Sequence, residues 1–210
     1  MFQRFDKPFA GPAGSRFGAD RRRLLAAALG AVFVPASSAW AQRPAEASTT
    51  VSFRGTPFMH RWSKDGQHEF TPADSADLAS WRDMLTLNLH AAVASGEQLA
   101  GVANKVLANY QRSGKILQTR STPRTAARPA EHLIVAVLGT PDLLEAAFAR
   151  CLLHEGSGVV AVVSHRVYGK AAGPQMSDWL RANGPQLEQA LMAWSALPSV
   201  ASLNRLPKSA

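Results

Sequence analysis

Residues 132–138, His-Leu-Ile-Val-Ala-Val-Leu, form a short apolar run that is followed by Gly-Thr-Pro at 139–141. An apolar run rich in β-branched residues that ends at Gly and Pro is typical of a buried strand. Residues 159–167, Val-Val-Ala-Val-Val-Ser-His-Arg-Val, repeat this pattern. The two runs therefore predict two buried strands, and the rest of the fold is argued outward from them.

The segment between them, Leu143–Leu153, is ambiguous. Its Ala and Leu content favours a helix by intrinsic propensity. Residues 154–158, His-Glu-Gly-Ser-Gly, are however a short turn that leads directly into the next strand. We therefore predict that Leu143–Leu153 is a strand and forms a hairpin with residues 159–167.

A β-hairpin is predicted within residues 50–72. Residues 50–53 alternate in polarity, and 57–62 and 68–71 read as two further short strands. Asp65-Gly66 lies between the second and third of these and is a strong hairpin signal, because Gly readily adopts a positive φ angle. The third strand is predicted to end at Pro72.

Two helices are predicted between this hairpin and the central strands. The first is expected to begin near Asp74 or Ser75, which are good N-caps, and to end at Ser95-Gly96. The second is expected to end at Gly114, before a strand over 115–121 and a loop over 122–130. The apolar positions of the first are Leu78, Trp81, Leu85, Leu89 and Ala92, and those of the second are Leu99, Val102, Val106 and Tyr110.

The last helical region is Ser177–Trp194. Asn183-Gly184-Pro185 is predicted to break it into two segments, the second of which would begin at Pro185. Residues 196–210 contain two prolines and little periodicity, so we predict an irregular C-terminal tail.

These elements indicate an α+β fold, in which an antiparallel β-sheet has helices packed on its faces as an α-β-α sandwich. We expect one such domain over residues 51–195, with Trp81, Ile134, Val135 and Trp194 in its core. This order of elements resembles the Mog1/PsbP-like proteins in architecture over most of residues 42–210. That resemblance implies an accessory or binding protein more often than an enzyme.

The first 41 residues have the pattern of a secretory signal peptide. Arg21–Arg23 precede an apolar run, Leu24–Val34, which is too short to span a bilayer, and Ala39 and Ala41 suit a cleavage site before Gln42. Residues 42–50 are expected to be a flexible lead-in. The protein is therefore predicted to be periplasmic or secreted, with no membrane span in the mature chain.

The export route is left open by the residues around the arginines. Asp20–Leu25 resembles a twin-arginine signal, but Asp20 stands where Ser or Thr is usual and Leu24 where Phe is usual. Export by the general secretory route is the alternative.

Charge and cysteine content narrow the function classes. The formal net charge is +8, but residues 1–41 hold six Lys and Arg against two Asp, so the mature part carries +4. This modest charge and an exported location argue against a nucleic-acid partner. Cys151 is the sole cysteine, which excludes an internal disulfide, and its apolar neighbours predict a buried side chain.

Polar residues at the end of the strand over 159–167 are the first candidates for chemistry. Arg166 and Tyr168 could hold an anionic group, because a guanidinium binds carboxylate or phosphate through two hydrogen bonds. The alternative for Arg166 is a structural ion pair with Glu131 or Glu69. His165 falls on the apolar face of the strand, where it is either a core histidine or, with Glu131, half of an acid–base pair.

Trp62 and Glu69 flank the predicted hairpin turn and could contact a ligand or partner. The six histidines lack the spacing of metal ligands, and neither a metal site nor a cofactor is predicted.

Three functions remain open. The first is a non-enzymatic accessory protein that binds a protein partner or a small anionic ligand. The second is a hydrolase-like enzyme that uses Glu131 and His165, with Arg166 and Tyr168 holding an anionic substrate. The third is an envelope-surface protein that uses Arg120, Arg124 and Arg128 on anionic lipid or glycan.

Overall fold

The computed structural model describes residues 50–126, 128–140 and 142–209. The predicted signal peptide over 1–41 and most of the lead-in lie outside these residues. The strands are β1 Thr50–Phe53, β2 Thr56–Lys64, β3 Gln67–Pro72, β4 Asp83–His90, β5 Gly114–Thr122, β6 Glu131–Thr140, β7 Leu143–His154 and β8 Ser157–Tyr168. The helices are α1 Gly96–Ser113, α2 Ala172–Ala193 and α3 Val200–Asn204.

All eight strands form one antiparallel sheet in the order β1-β2-β3-β4-β8-β7-β6-β5. Strands β1 to β4 follow one another, and so do β5 to β8, so that two meanders meet where β4 pairs with β8. Helix α1 connects β4 at the centre of the sheet to β5 at its edge. The α+β fold predicted from the sequence is confirmed.

The helices cover both faces of the sheet. We call the face that packs against α2 and α3 the α2 face; its core includes Phe70, Leu85 and Phe148. The opposite, α1 face packs against Leu99 and Val102 of α1. The four predicted core residues, Trp81, Ile134, Val135 and Trp194, are all buried. None of the helices among the described residues is long and apolar enough to cross a membrane.

The hairpin between β2 and β3 forms as predicted. Asp65 and Gly66 both have positive φ angles, 50° and 82°, which match the twist of a two-residue hairpin turn. A Cβ atom on Gly66 would lie 2.7 Å from the carbonyl oxygen of Leu89, so this turn also requires glycine for space.

Helix α1 and strand β7 also agree with the sequence. Ser95 caps α1 in a capping box with Gln98, and the helix ends at Gly114. Residues 143–154 are a strand that pairs with both β6 and β8. The hairpin interpretation of this Ala- and Leu-rich segment is therefore confirmed, because pairing on both sides outweighs helix propensity.

The first predicted helix is wrong. Residues 83–90 form β4, and Trp81 lies in the loop before it. In Leu-Thr-Leu-Asn-Leu over 85–89 the leucines alternate with polar residues, which is strand periodicity. The helical spacing from Leu78 to Leu89 was a coincidence that spanned a loop and a strand.

The predicted break in the last helix is also wrong. Helix α2 runs from Ala172 through Pro185 to Ala193 without interruption. The Asn183 side chain donates a hydrogen bond of 2.9 Å to the carbonyl of Trp179, and Leu187 and Leu191 are buried against the sheet beyond the proline. Packing of α2 therefore outweighs the loss of one backbone donor at Pro185.

The C-terminal tail is less irregular than predicted. It contains α3, capped by Ser199, whose hydroxyl accepts a hydrogen bond from the Ser202 amide. Leu203 and Leu206 are buried in the core of the α2 face.

Candidate functional site

Glu131 forms a closed ion pair with Arg150. The Nε and Nη2 atoms of Arg150 donate to the two Glu131 carboxylate oxygens at 2.8 and 2.9 Å. Its Nη1 donates to the carbonyls of Leu191 and Trp194 at 2.9 and 2.7 Å. Arg150 thus joins β6 and β7 to the end of α2, and these contacts give Glu131 a structural partner.

His165 has different partners at the other end of the sheet. Its Nδ1 lies 2.8 Å from an Asp83 carboxylate oxygen, and its ring stacks on Trp179 at 4.0 Å between centroids. Asp83 can only accept when ionised, so Nδ1 carries the proton and Nε2 is left with a lone pair when the ring is neutral. The structure does not bring His165 and Glu131 together as an acid–base pair.

Arg166 and Tyr168 hold the loop that contains Trp81. The Arg166 guanidinium lies 3.9 Å from the centre of the Trp81 ring, and its Nε donates to Glu145 at 2.8 Å. The Tyr168 hydroxyl donates to the Trp81 carbonyl at 2.6 Å. The ion pair expected for Arg166 does form, but with Glu145 instead of Glu131 or Glu69.

Trp62 and Glu69 face each other across the β2–β3 pairing on the α1 face. Helix α1 packs on β5, β6 and β7, and Trp62 and Glu69 are only half-buried. Burial raises the pKa of Glu69, an effect opposed by the hydrogen bond from Gln67 and by the charge of Arg166. This pair lies away from His165, which is on the α2 face.

A cavity of about 200 Å³ lies between the end of β8 and the first turns of α2. We call it the β8–α2 cavity. It brings together three of the residues predicted from the sequence, His165, Arg166 and Tyr168, and leaves out Glu131, Trp62 and Glu69. Its lining is completed by Arg82, Val167, Gln175 and Trp179.

The β8–α2 cavity carries donors that suit an anion. The Arg82 side chain is exposed and has no carboxylate partner among the residues that the structure describes. Gln175 lies in the first turn of α2, which has neither an acidic residue nor a side-chain cap. Uncapped backbone N–H groups and the helix dipole both favour negative charge there.

Sequence reasoning missed Arg82, Asp83 and Trp179 as site residues. The first predicted helix includes Arg82 and Asp83, whereas in the structure Arg82 lies in the loop before β4 and Asp83 is the first residue of β4. The alternation over 85–89 could have identified β4, but pairing of Asp83 with His165 depends on the register between two strands distant in sequence.

Cys151 is fully buried, as the sequence predicts, and burial raises its pKa to about 12. Its thiol is therefore a poor nucleophile near neutral pH. Over the described ranges, no three His, Cys, Asp or Glu side chains are grouped in a way that could hold a metal ion.

Solved structures that are similar to this chain share little sequence with it. The chain is similar to the Saccharomyces cerevisiae Ran-binding protein Mog1p, at 16% identity over 74% of this chain and 97% of that one, with a TM-score of 0.44. It is also similar to the Pseudomonas aeruginosa protein of unknown function PA94, at 10% identity over 72% of this chain and 98% of that one, with a TM-score of 0.41. No protein-family model matches the chain, and no curated protein matches its sequence.

Proposed function

We propose that this protein is an exported, periplasmic accessory protein that binds a small anionic ligand in the β8–α2 cavity without converting it. The leader pattern over residues 1–41 supports export. The cavity supports the ligand class, and the two parts can be tested separately.

The observation that carries the ligand class is the Arg82 side chain at the cavity. Asp83, the neighbour of Arg82 in sequence, already accepts a hydrogen bond from His165. Arg82 therefore offers two-pronged hydrogen bonding to a carboxylate or phosphate, and Gln175 can add a further donor.

Binding without conversion is supported by the kinds of side chain around the cavity. Its lining contains no Ser, Thr or Cys, and the Tyr168 hydroxyl donates to a backbone carbonyl. Nucleophilic catalysis needs an activated group within reach of its base, and the described lining supplies none.

Calorimetric titration with inorganic phosphate, acetate and succinate tests the ligand class. We expect at least one to bind, and Arg82→Ala to weaken it at least tenfold, because a charge-assisted hydrogen bond is worth roughly 1.5–3 kcal/mol. Arg124→Ala, which removes the same charge from the exposed loop before β6, should leave affinity unchanged. Equal losses in both variants would indicate nonspecific charge attraction instead.

Cell fractionation with N-terminal sequencing tests export. We expect the chain in the periplasmic fraction to begin at Gln42. Recovery from the cytoplasm with residues 1–41 intact would contradict this part and leave the binding proposal standing.

The His165–Asp83 pair favours one alternative, a hydrolase in which water is the nucleophile and His165 the base. A carboxylate that fixes the imidazole leaves Nε2 free to accept a proton. Release of 4-nitrophenol from its acetate or phosphate ester, lost in His165→Gln and kept in Glu131→Gln, would support it. No release above a buffer blank would exclude those two ester classes.

A further inference from the structure

We infer that residues Arg205–Ser209 form a pH-sensitive latch, which a buried hydrogen-bond chain through His60, Ser63 and His68 keeps closed at neutral pH and which acid releases. This latch belongs to a different part of the molecule from the β8–α2 cavity and does not depend on what the cavity binds.

The hydrogen-bond chain from His60 through Ser63 to His68 lies on the α2 face, between β2 and β3. Nε2 of His60 is 2.7 Å from the Ser63 hydroxyl oxygen, and that oxygen is 2.8 Å from Nδ1 of His68. Ser63 is 2% exposed and His68 5% exposed, so water has little access to the middle of the chain. The His60 ring also packs edge-on against Phe70.

The proton positions follow from donor and acceptor counts. Nε2 of His68 is buried without a hydrogen-bond partner. A buried N–H without an acceptor is rarer than an unfilled acceptor, so His68 carries its proton on Nδ1 and donates to Ser63. The single Ser63 hydroxyl proton is then donated to Nε2 of His60.

Neither remaining nitrogen can take a proton without disrupting this arrangement. A proton on Nε2 of His60 would place two N–H groups against the Ser63 oxygen and leave the hydroxyl proton without an acceptor. A proton on Nε2 of His68 would bury a cationic N–H with no acceptor, which is unfavourable because the buried donor loses its hydrogen bonds to water. The chain is therefore complete only while both rings are neutral.

Ser63 also holds the C-terminal segment. The Ser63 amide donates to the Ser209 hydroxyl at 3.2 Å, and the Ser209 amide donates to the Ser63 carbonyl at 2.8 Å. Leu206 is buried in the core of the α2 face. The preceding residues are held elsewhere, through Pro198 to His154 and Val200 to Glu155. The part that Ser63 controls therefore begins after α3.

No nearby negative charge stabilises the protonated form of either ring, as far as the described residues show. Lys64 and Asp65 in the turn, and Arg205 and Lys208 in the latch, are all exposed to solvent. Glu69 lies on the opposite face of the sheet, because it alternates with His68 and Phe70 along β3, and Arg61 bonds Thr71 on that same opposite face. No carboxylate among the described residues forms an ion pair with either ring.

The direction of the pH effect follows. Burial lowers the pKa of both rings below their ordinary value of 6.5, and for His68 the charge of His60 lowers it further. The closed state is favoured while both rings are neutral, and it loses stability as the pH falls below about 6.5. Each proton taken up on opening shifts the equilibrium by up to about tenfold per pH unit.

Amide hydrogen exchange measured by NMR tests the latch. We expect protection of the Ser209 amide, relative to its intrinsic rate, to fall at least tenfold between pH 7 and pH 5. The Leu99 amide, which donates to Ser95 at the start of α1, should keep its protection. Imidazole nitrogen spectra at pH 7.5 should show a protonated Nδ1 on His68.

The double variant His60→Gln/His68→Gln should abolish this pH dependence, and His90→Gln, which removes a half-buried histidine of β4, should keep it. If the double variant does not fold, Ser63→Ala is the replacement test, because it removes the hydroxyl at the centre of the hydrogen-bond chain. This variant should lower the protection of the Ser209 amide already at pH 7. Unchanged Ser209 protection at pH 5, a matching fall at Leu99, or a pH dependence that survives the double variant would overturn the latch.

Discussion

Strand β7 carries two arginine–glutamate pairs, one near each end, and they differ in how completely they are enclosed. Near the end of β7, all three guanidinium nitrogens of Arg150 donate hydrogen bonds, two of them to Glu131 and the third to two backbone carbonyls. Near the start of β7, Glu145 accepts a hydrogen bond only from Nε of Arg166. The two terminal nitrogens of Arg166 have no acceptor among the described residues. The same two residue types thus make a closed structural pair and an open one.

The difference comes from what covers each end of β7. Arg150 lies on the α2 face beneath the end of α2, and its side chain is 8% exposed. Arg166 lies on the α1 face beside Trp81, and its side chain is 25% exposed. Because the cost of an unpaired charge rises with burial, the two pairs should respond very differently to loss of one partner.

The largest effect is expected when the closed pair is broken. Arg150→Met should lower the free energy of unfolding by about 3–5 kcal/mol, because Glu131 and two carbonyls lose their donor in a buried place. Urea denaturation followed by circular dichroism measures this. The double variant Arg150→Met/Glu131→Leu should recover much of the loss, and a double variant as unstable as the single one would show that the cost is a packing defect.

Breaking the open pair should cost less. Arg166→Met leaves Glu145 with access to water and removes one hydrogen bond and the contact with Trp81, so we expect a loss of about 1 kcal/mol. The same denaturation measurement applies, with Arg166→Lys as a partial replacement of the charge. A loss equal to that of Arg150→Met would contradict the contrast between the two pairs.

A surface pair sets the lower limit of the scale. Arg120 lies 2.9 Å from Glu188, and its side chain is 47% exposed. Arg120→Ala should cost about 0.5 kcal/mol, since exposed pairs contribute little and are screened by salt. The difference from the parent protein should vanish in 1 M NaCl, and a persistent difference would indicate packing by the arginine stem.

Glu69 sharpens the comparison through pH. The pKa of Glu69 is raised mainly by burial and lies under the influence of Arg166 and Glu145, so its charged form opposes folding. Glu69→Gln should therefore stabilise the protein by about 0.3 kcal/mol at pH 7, and this advantage should disappear as acid protonates the parent residue. Denaturant midpoints from pH 7 to pH 4 measure it; a growing advantage in acid would reverse the assignment.

Local patterns predicted the fold correctly where the hydrophobic periodicity agreed with the turn and cap residues at the ends of an element. The apolar run over 132–138, the Asp65-Gly66 turn and the cap at Ser95 each specify one element without reference to distant residues. Residues 83–90 failed because helical and strand spacings both fit, and pairing with β3 and β8 decided between them. Pro185 failed because helix packing is invisible in local sequence.

The site was predicted only in part for the same reason. His165, Arg166 and Tyr168 stood out as polar residues at a strand end, and all three line the β8–α2 cavity. Asp83 precedes His165 by 82 residues, and Trp179 belongs to α2. No local spacing in the sequence could therefore reveal that both residues contact His165. Glu131 begins β6, which β7 separates from β8, and it lies near the level of the start of β8, whereas His165 lies near the end of β8.

The junction between the two meanders has a consequence for folding. Within β1–β4 and within β5–β8 each strand pairs with its neighbour in sequence, so these pairings close short loops and can form early. The β4–β8 pairing closes the longest loop and should form late. Because Asp83 and His165 face each other across it, a folding intermediate in which the meanders have not docked lacks the β8–α2 cavity. Ligand binding at that cavity would therefore report that folding is complete. A bound ligand would also stabilise this junction against unfolding, because it binds only the folded state.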